Sequence, residues 1–258
     1  NAPQVNWGDT LVFTNKDSTK HTLLIPRLNV TKDLNPGESY SQLLEVNAGS
    51  YQMRDRISNR TFNGRFEVSI TGTLTLKASS VSVVYGKPLQ LSGVSPYPQA
   101  PVILETRPPG QSQWTQLTTV TPGADGSYGA QVSLQRGGRI QAVTAGTQLF
   151  SAPVAVTVVP RMTVSIDPRR PADGSTVKII VKVGPAGAAR SASLETYVTL
   201  RKRWQKLKTA TVGATTGVVR FPVKATLTPT QYRIVIARSG MNPGYVPIMS
   251  KPFKITGR

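Results

Sequence analysis

The stretch "SVSVVYGKPLQLSG" (80–93) decides the fold. Val81 and Val83 alternate with serines, Leu89 and Leu91 alternate with polar residues, and Gly86 and Pro88 stand between the two runs. A two-residue period is that of a half-buried strand, and a Gly/Pro interruption is that of a turn. The same alternation returns in "AQVSLQ" (130–135), "APVAVTVV" (152–159) and "RMTVSID" (161–167). Helical periodicity is almost absent, while 22 Gly and 20 Pro punctuate the chain at short intervals. These features define an all-β chain, and 258 residues are enough for two or three domains of ordinary size. The expectation is three β-sandwich domains in tandem.

The later part of the chain reads as one module used twice. "LTLKASSVSVVYGKPLQLSG" (74–93) matches "MTVSIDPRRPADGSTVKIIVKV" (162–183) in pattern. "PVILETRPPGQSQWTQLTTV" (101–120) matches "YVTLRKRWQKLKTATV" (197–212), with Trp114 and Trp204 equivalent, and "SAPVAVTV" matches "SKPFKITG" as a closing strand. A period of about 90 to 100 residues is the size of an immunoglobulin-like sandwich. Expected domains are 1–71, 72–159 and 160–258. The links between them, "TGT" (71–73) and "VPRM" (159–162), are short and favour a semi-rigid rod. Both tryptophans are expected to fill the cores of their sandwiches. Asp125, in "DGSYGAQV" (125–132), is expected to support a turn rather than bind calcium, because no second carboxylate lies nearby.

The first segment carries "GDTLVFTNKDSTKHTL" (8–23), "LNPGESYSQLLEVNAGSYQMRD" (34–55) and "FNGRFEV" (62–68). In that order these motifs resemble the cupredoxins, the plastocyanin-like blue-copper proteins, over about 60 residues. Residues 72–258 resemble two bacterial Ig-like domains. The first resemblance implies a copper site, which the residues do not supply. The family's first histidine falls on His21. Its cysteine falls on Asp55, its second histidine on Ser58 and its methionine on Phe62. A blue-copper centre needs two imidazoles, a thiolate and a weak axial ligand. The chain has no cysteine and one histidine, so no shift of the alignment restores the centre. Arg54 and Arg56 flank Asp55 and are expected to pair with it and to oppose a metal cation. His21 reads as a loop histidine hydrogen-bonded within the fold. The weaker alternative is a poor Cu(II) or Zn(II) site formed with Asp55. The family's first strand is expected to be short or missing, leaving an open sheet edge suited to β-augmentation and self-assembly.

Charge is unevenly placed. The net +19 resolves into +1 for 1–71, +3 for 72–159 and +15 for 160–258. The densest cluster is "LRKRWQKLK" (200–208), with Arg201, Lys202, Arg203, Lys206 and Lys208 around Trp204 on an expected hairpin. Arg169 and Arg170 lie in another expected turn. Lys178, Lys182, Lys224, Arg233 and Arg238 alternate with apolar residues and are expected on solvent faces. Three readings follow: a solvated face, docking on an acidic partner, and nucleic-acid binding through phosphate contacts and stacking on Trp204. The acidic partner would be a protein, an anionic cell-envelope polymer or lipid headgroups. No recognised nucleic-acid motif is present, which places the third reading last.

Catalysis finds no support in the residues. There is no G-x-S-x-G, Walker loop or H-E-x-x-H motif. Asp9, Asp17, Asp33 and Glu38 read as turn residues rather than as an acid–base pair. No cofactor is expected, and no apolar run reaches the roughly 18 residues of a membrane span. No signal peptide is visible, and the start without methionine is that expected of a processed or a partial product. Resemblance to extracellular modules implies a secreted or cell-surface binding, scaffold or assembly-subunit role. The alternative is an accessory metal-binding protein of an electron-transfer assembly.

Overall fold

A computed structural model describes residues 2–57, 60–146 and 149–258. The regular structure of the described residues is all strand apart from three short 3-10 turns, and their buried side chains form three main clusters, each drawn from one continuous stretch of sequence.

The first stretch holds β1 (Gln4–Asn6), β2 (Thr10–Thr14), β3 (His21–Ile25), β4 (Val30–Leu34), β5 (Ser39–Leu43), β6 (Gly49–Ile57) and β7 (Arg60–Ser69). Five of these form one sheet in the order β1-β7-β6-β3-β4, and β2 pairs with β5 alone as a second, small sheet. Tyr51 and Phe66, stacked 5.4 Å apart, sit in the core between them with Ile25 and Leu44. The first strand is short but present. Gln4–Asn6 runs parallel to β7 in register with Glu67–Ser69, so that edge of β7 is already occupied. The reason is the Val5 side chain, which packs on the core and draws the segment onto the sheet.

The second stretch holds β8 (Lys77–Ala78), β9 (Ser82–Val84), β10 (Leu89–Val94), β11 (Val102–Arg107), β12 (Thr115–Val120), β13 (Ser127–Val132), β14 (Gly138–Thr144), β15 (Leu149–Phe150) and β16 (Val154–Val159). The sheet β13-β10-β8 faces the sheet β12-β11-β14-β16-β9. The quoted stretch 80–93 thus contributes to both sheets: β9 pairs with β16 and β10 with β13. Val83, Leu89 and Leu91 point into the common core, as their alternation predicts.

The third stretch repeats that plan with β17 (Arg161–Asp167), β18 (Thr176–Gly184), β19 (Ser191–Val198), β20 (Arg203–Thr211), β21 (Val218–Lys224), β22 (Thr230–Ile236), β23 (Ile248–Met249) and β24 (Phe253–Ile255). Its sheets are β17-β18-β21 and β20-β19-β22-β23, with β24 also on β22. This is the strand order of an Ig-like sandwich. Val177, Ile179, Val181 and Val183 line the inner face of β18, and Phe221 opposes Ile179 across the β18–β21 ladder.

The links are clamped. At the first, the Tyr97 hydroxyl accepts a hydrogen bond from the Thr71 N–H at 2.6 Å and donates to the Thr71 carbonyl at 2.7 Å. Its ring lies 5.1 Å from Trp7, within a small apolar cluster with Ala100. At the second, residues 243–246 lie along β16. The Val158 N–H donates to the Gly244 carbonyl at 3.1 Å, and the Val246 N–H donates to the Val158 carbonyl at 3.2 Å. Tyr245 packs against the second and third cores together. Gly137 permits this contact: a Cβ there would stand 2.3 Å from the Gly244 carbonyl oxygen and 2.7 Å from that of Val156.

Candidate functional site

Two groups of residues carry the chemistry: the His21 cluster in the first stretch and the basic residues in the third.

His21 opens β3 two residues before Leu23, the register partner of Asp55 on β6, so His21 and Asp55 are diagonal neighbours on one face of the sheet. Its Nδ1 lies 2.7 Å from Asp55 Oδ2. Its Nε2 lies 2.9 Å from Asp17 Oδ2, a charge contact rather than an aligned hydrogen bond. With a carboxylate at each ring nitrogen, the imidazole is favoured as the doubly protonated cation. The hydrogen bond to Asp55, with the charges of Asp55 and Asp17, raises its pKa above the ordinary 6.5 and outweighs partial burial. A metal would have to displace one of these carboxylates from the nitrogen it needs. Among the described residues no group of three or more His, Cys, Asp or Glu is arranged to hold a metal. Phe62 lines a cleft of about 300 Å³ with His21, Leu23, Met53 and Asp55. Ser58 lies outside the described residues.

Two expectations about carboxylates are corrected. Arg54 and Arg56 do not pair with Asp55, because successive residues of a strand face opposite sides: the arginines are exposed and Asp55 turns inward to His21. Asp33 lies on β4 rather than in a turn. Lys20 at 2.7 Å and Thr22 at 2.7 Å hold its carboxyl below the usual range. Asp17 does lie in the turn between β2 and β3, and its side chain meets His21. Asp9 and Glu38 do accept local backbone N–H bonds, from Asn6 and Asn35. Asp125 accepts from the Ser127 hydroxyl at 2.7 Å and the Ser127 N–H at 3.0 Å, which lowers its pKa and closes the turn.

His21 gives a clean titration because it is the only histidine. Its NMR titration midpoint is expected above 6.5, and Asp55→Asn is expected to lower it. A raised pKa means that His21 stabilises the fold fully below the unfolded value. That contribution disappears as pH rises through the folded value. A midpoint at or below 6.5 in the unsubstituted chain would contradict the charge contacts described.

In the third stretch a 3-10 turn at Thr199–Arg201 joins β19 to β20. Lys202 closes it in the left-handed conformation with φ 48°. Arg201, Lys202 and Arg203 are exposed at the tip, and Lys206 and Lys208 are exposed along β20. Arg169 and Arg170 are exposed in the β17–β18 turn. The ladders bring these segments to one end. β17 finishes there at Asp167 opposite Lys178, β21 finishes there at Lys224 opposite Thr176, and β22 starts there beside the end of β19. The end opposite carries the loop that joins β16. Lys178, Lys182, Lys224 and Arg238 are exposed, whereas Arg233 is half-buried.

The two tryptophans do not fill the cores, which corrects the sequence expectation. Both are half-buried, Trp204 on the edge strand β20 and Trp114 immediately before the edge strand β12, and each hairpin carries a β-bulge, after Leu104 and after Leu194. The bulge supplies the reason, since it resets which face of the strand turns outward. The Arg107 guanidinium lies 4.6 Å from the Trp114 ring centre, and that of Arg233 lies 4.4 Å from Trp204. Arg233 also bonds Glu195, its register partner, at 2.7 Å, and Tyr197 meets Trp204 edge-on at 5.4 Å. Exposed Leu200 at the hairpin tip and Leu227 in the β21–β22 turn were not singled out by the sequence pattern.

Fold and site together define an all-β protein of tandem sandwiches with Ig-like strand order and a strongly basic end. No known family matches the chain, and no curated protein does. Among solved structures, the selenomethionine-substituted chicken interferon gamma receptor alpha chain is similar, with TM-score 0.38 and 14% identity. The match covers 72% of this chain and 98% of that one.

Proposed function

We propose that this is a non-catalytic binding protein of the cell exterior that docks on an acidic partner through its basic end. In this reading residues 1–71 form a cupredoxin-like domain without a copper site. Residues 72–159 form an Ig-like connecting domain, and residues 160–258 form the basic Ig-like docking domain. The observation that carries the reading is the gathering of Arg169, Arg170, Arg201, Lys202 and Arg203 at the end away from the clamped junction. Two loops distant in sequence thereby share one field, which raises the local concentration of an anionic partner. The clamps at Thr71 and Val158 support a stiff stalk that holds this end away from the first domain. Metal binding is disfavoured by the two carboxylates on His21. Nucleic-acid binding is disfavoured because Arg233 already covers a face of Trp204 that a base would need.

The test is analytical ultracentrifugation of the full chain across salt, alone and with a soluble anionic polymer. The expected result is a species that complexes with the polymer and releases it as salt rises. Failure to complex at low salt would overturn the docking reading. Self-association that survives high salt would instead assign the protein to assembly through a sheet edge.

A further inference from the structure

Leu200 stands 99% exposed at the β19–β20 tip, and Leu227 stands 66% exposed in the β21–β22 turn. The strand directions put both at the end that holds Arg169, Arg170, Arg201, Lys202 and Arg203. Two of its three turns are tied together. The Gly174 N–H donates to the Ala225 carbonyl at 3.0 Å and the Ala225 N–H to the Ser175 carbonyl at 3.0 Å. These bonds tie the β17–β18 turn to the β21–β22 turn. The tip itself is fixed by the Lys202 N–H, which donates to the Thr199 carbonyl at 3.2 Å. The acids at this end are Asp167 and Asp173, so the cations outnumber them.

A single exposed leucine is ordinary on a protein surface. Two on separate loops of one end, one of them at a hairpin tip beside three consecutive cations, make a different arrangement. A soluble polyanion would be held by the charges alone and would leave both leucines in water. A lipid surface uses both chemistries. Apolar tips enter the boundary of the acyl chains, while arginine and lysine remain at headgroup depth and meet anionic phosphate. We infer that the basic end of the third sandwich is an interfacial anchor that inserts Leu200 and Leu227 into an anionic phospholipid surface. This inference rests on the docking reading and names its partner.

Co-sedimentation of the full chain with two kinds of vesicle tests it. One is phosphatidylcholine alone; the other is phosphatidylcholine mixed with phosphatidylglycerol. The protein is expected to bind the mixed vesicles and to bind the neutral ones weakly. Leu200→Ser with Leu227→Ser is expected to weaken binding to mixed vesicles by at least about tenfold, since each leucine contributes apolar burial. The same pair is expected to leave complex formation with a soluble anionic polymer unchanged. Leu200→Trp is expected to keep binding and to show, on mixed vesicles, a blue-shifted emission in the difference spectrum against the unsubstituted chain with its three tryptophans, which reports entry of position 200 into the apolar layer. Binding to mixed vesicles that is indifferent to the serine pair, or a Leu200→Trp emission that does not shift, overturns the anchor while leaving docking intact. Binding to the polymer but to neither vesicle does the same and points to an acidic protein or polymer. Loss of binding to vesicles and polymer alike, in the unsubstituted chain, overturns the docking reading itself.

Discussion

Phe221→Ala is expected to destabilise residues 160–258 by about 3–5 kcal/mol, the usual cost of emptying a buried phenylalanine site. Phe221 is fully buried on β21 and faces Ile179, within a core whose members all lie between Val177 and Ile255. Because that core draws on no side chain of the first sandwich, the damage is expected to stay local. For a unit of this size the loss corresponds to a fall of about 15 °C or more in its melting transition. Calorimetry is expected to show one transition displaced and the transition of the first sandwich unmoved. The second sandwich is expected to fall slightly, because melting of the third removes Tyr245 from its surface and frees the Val158 edge. A single transition that moves as a whole would show that the clamps at Thr71 and Val158 fuse the chain into one cooperative unit, and would sink the proposed division at 160.

Charge reversal of the hairpin tip has the other large expected effect. Arg201→Glu, Lys202→Glu and Arg203→Glu together turn three cations into three anions on a segment whose net charge is +15. All three side chains are exposed, so stability is expected to change by about 0.5 kcal/mol or less per residue. Docking is expected to fall by at least about a thousandfold, at about 1 kcal/mol for each charge near an anionic surface. The matched control is Arg161→Glu with Lys182→Glu and Arg220→Glu. These are exposed residues of the β17-β18-β21 sheet, equal in charge change, that lie at mid-strand or toward the opposite end. Affinity measured against anionic vesicles at fixed salt separates the two. Equal losses in both variants would mean that a diffuse field does the binding and that the tip has no special part.

Much of the architecture was legible from side-chain periodicity. Alternation marked β9, β10, β16 and β17 because one face of each strand is buried and one is wet, and a two-residue period is the direct result. The repeat was legible for the same reason, since both later sandwiches bury the same strands in the same order. Composition alone excluded a blue-copper centre, because no fold can supply a thiolate that the chain lacks. The charge imbalance toward 160–258 was also a property of the sequence.

The tertiary structure decided what faces what. Asp55 sits between two arginines in sequence, yet the pleat sends them to the opposite side and leaves His21 as its partner. Trp114 and Trp204 looked like core residues, and a bulge in each hairpin turned them outward beneath an arginine. Leu200 and Leu227 carried no periodic signal, since turn residues have none. Only the antiparallel course of β18, β19 and β21 brings them to the same end as Arg169 and Arg201. Periodicity is a local property of one strand, so it predicts burial. The meeting of separate turns depends on the direction in which each strand crosses the sandwich, and that is set by ladder pairing between residues distant along the chain.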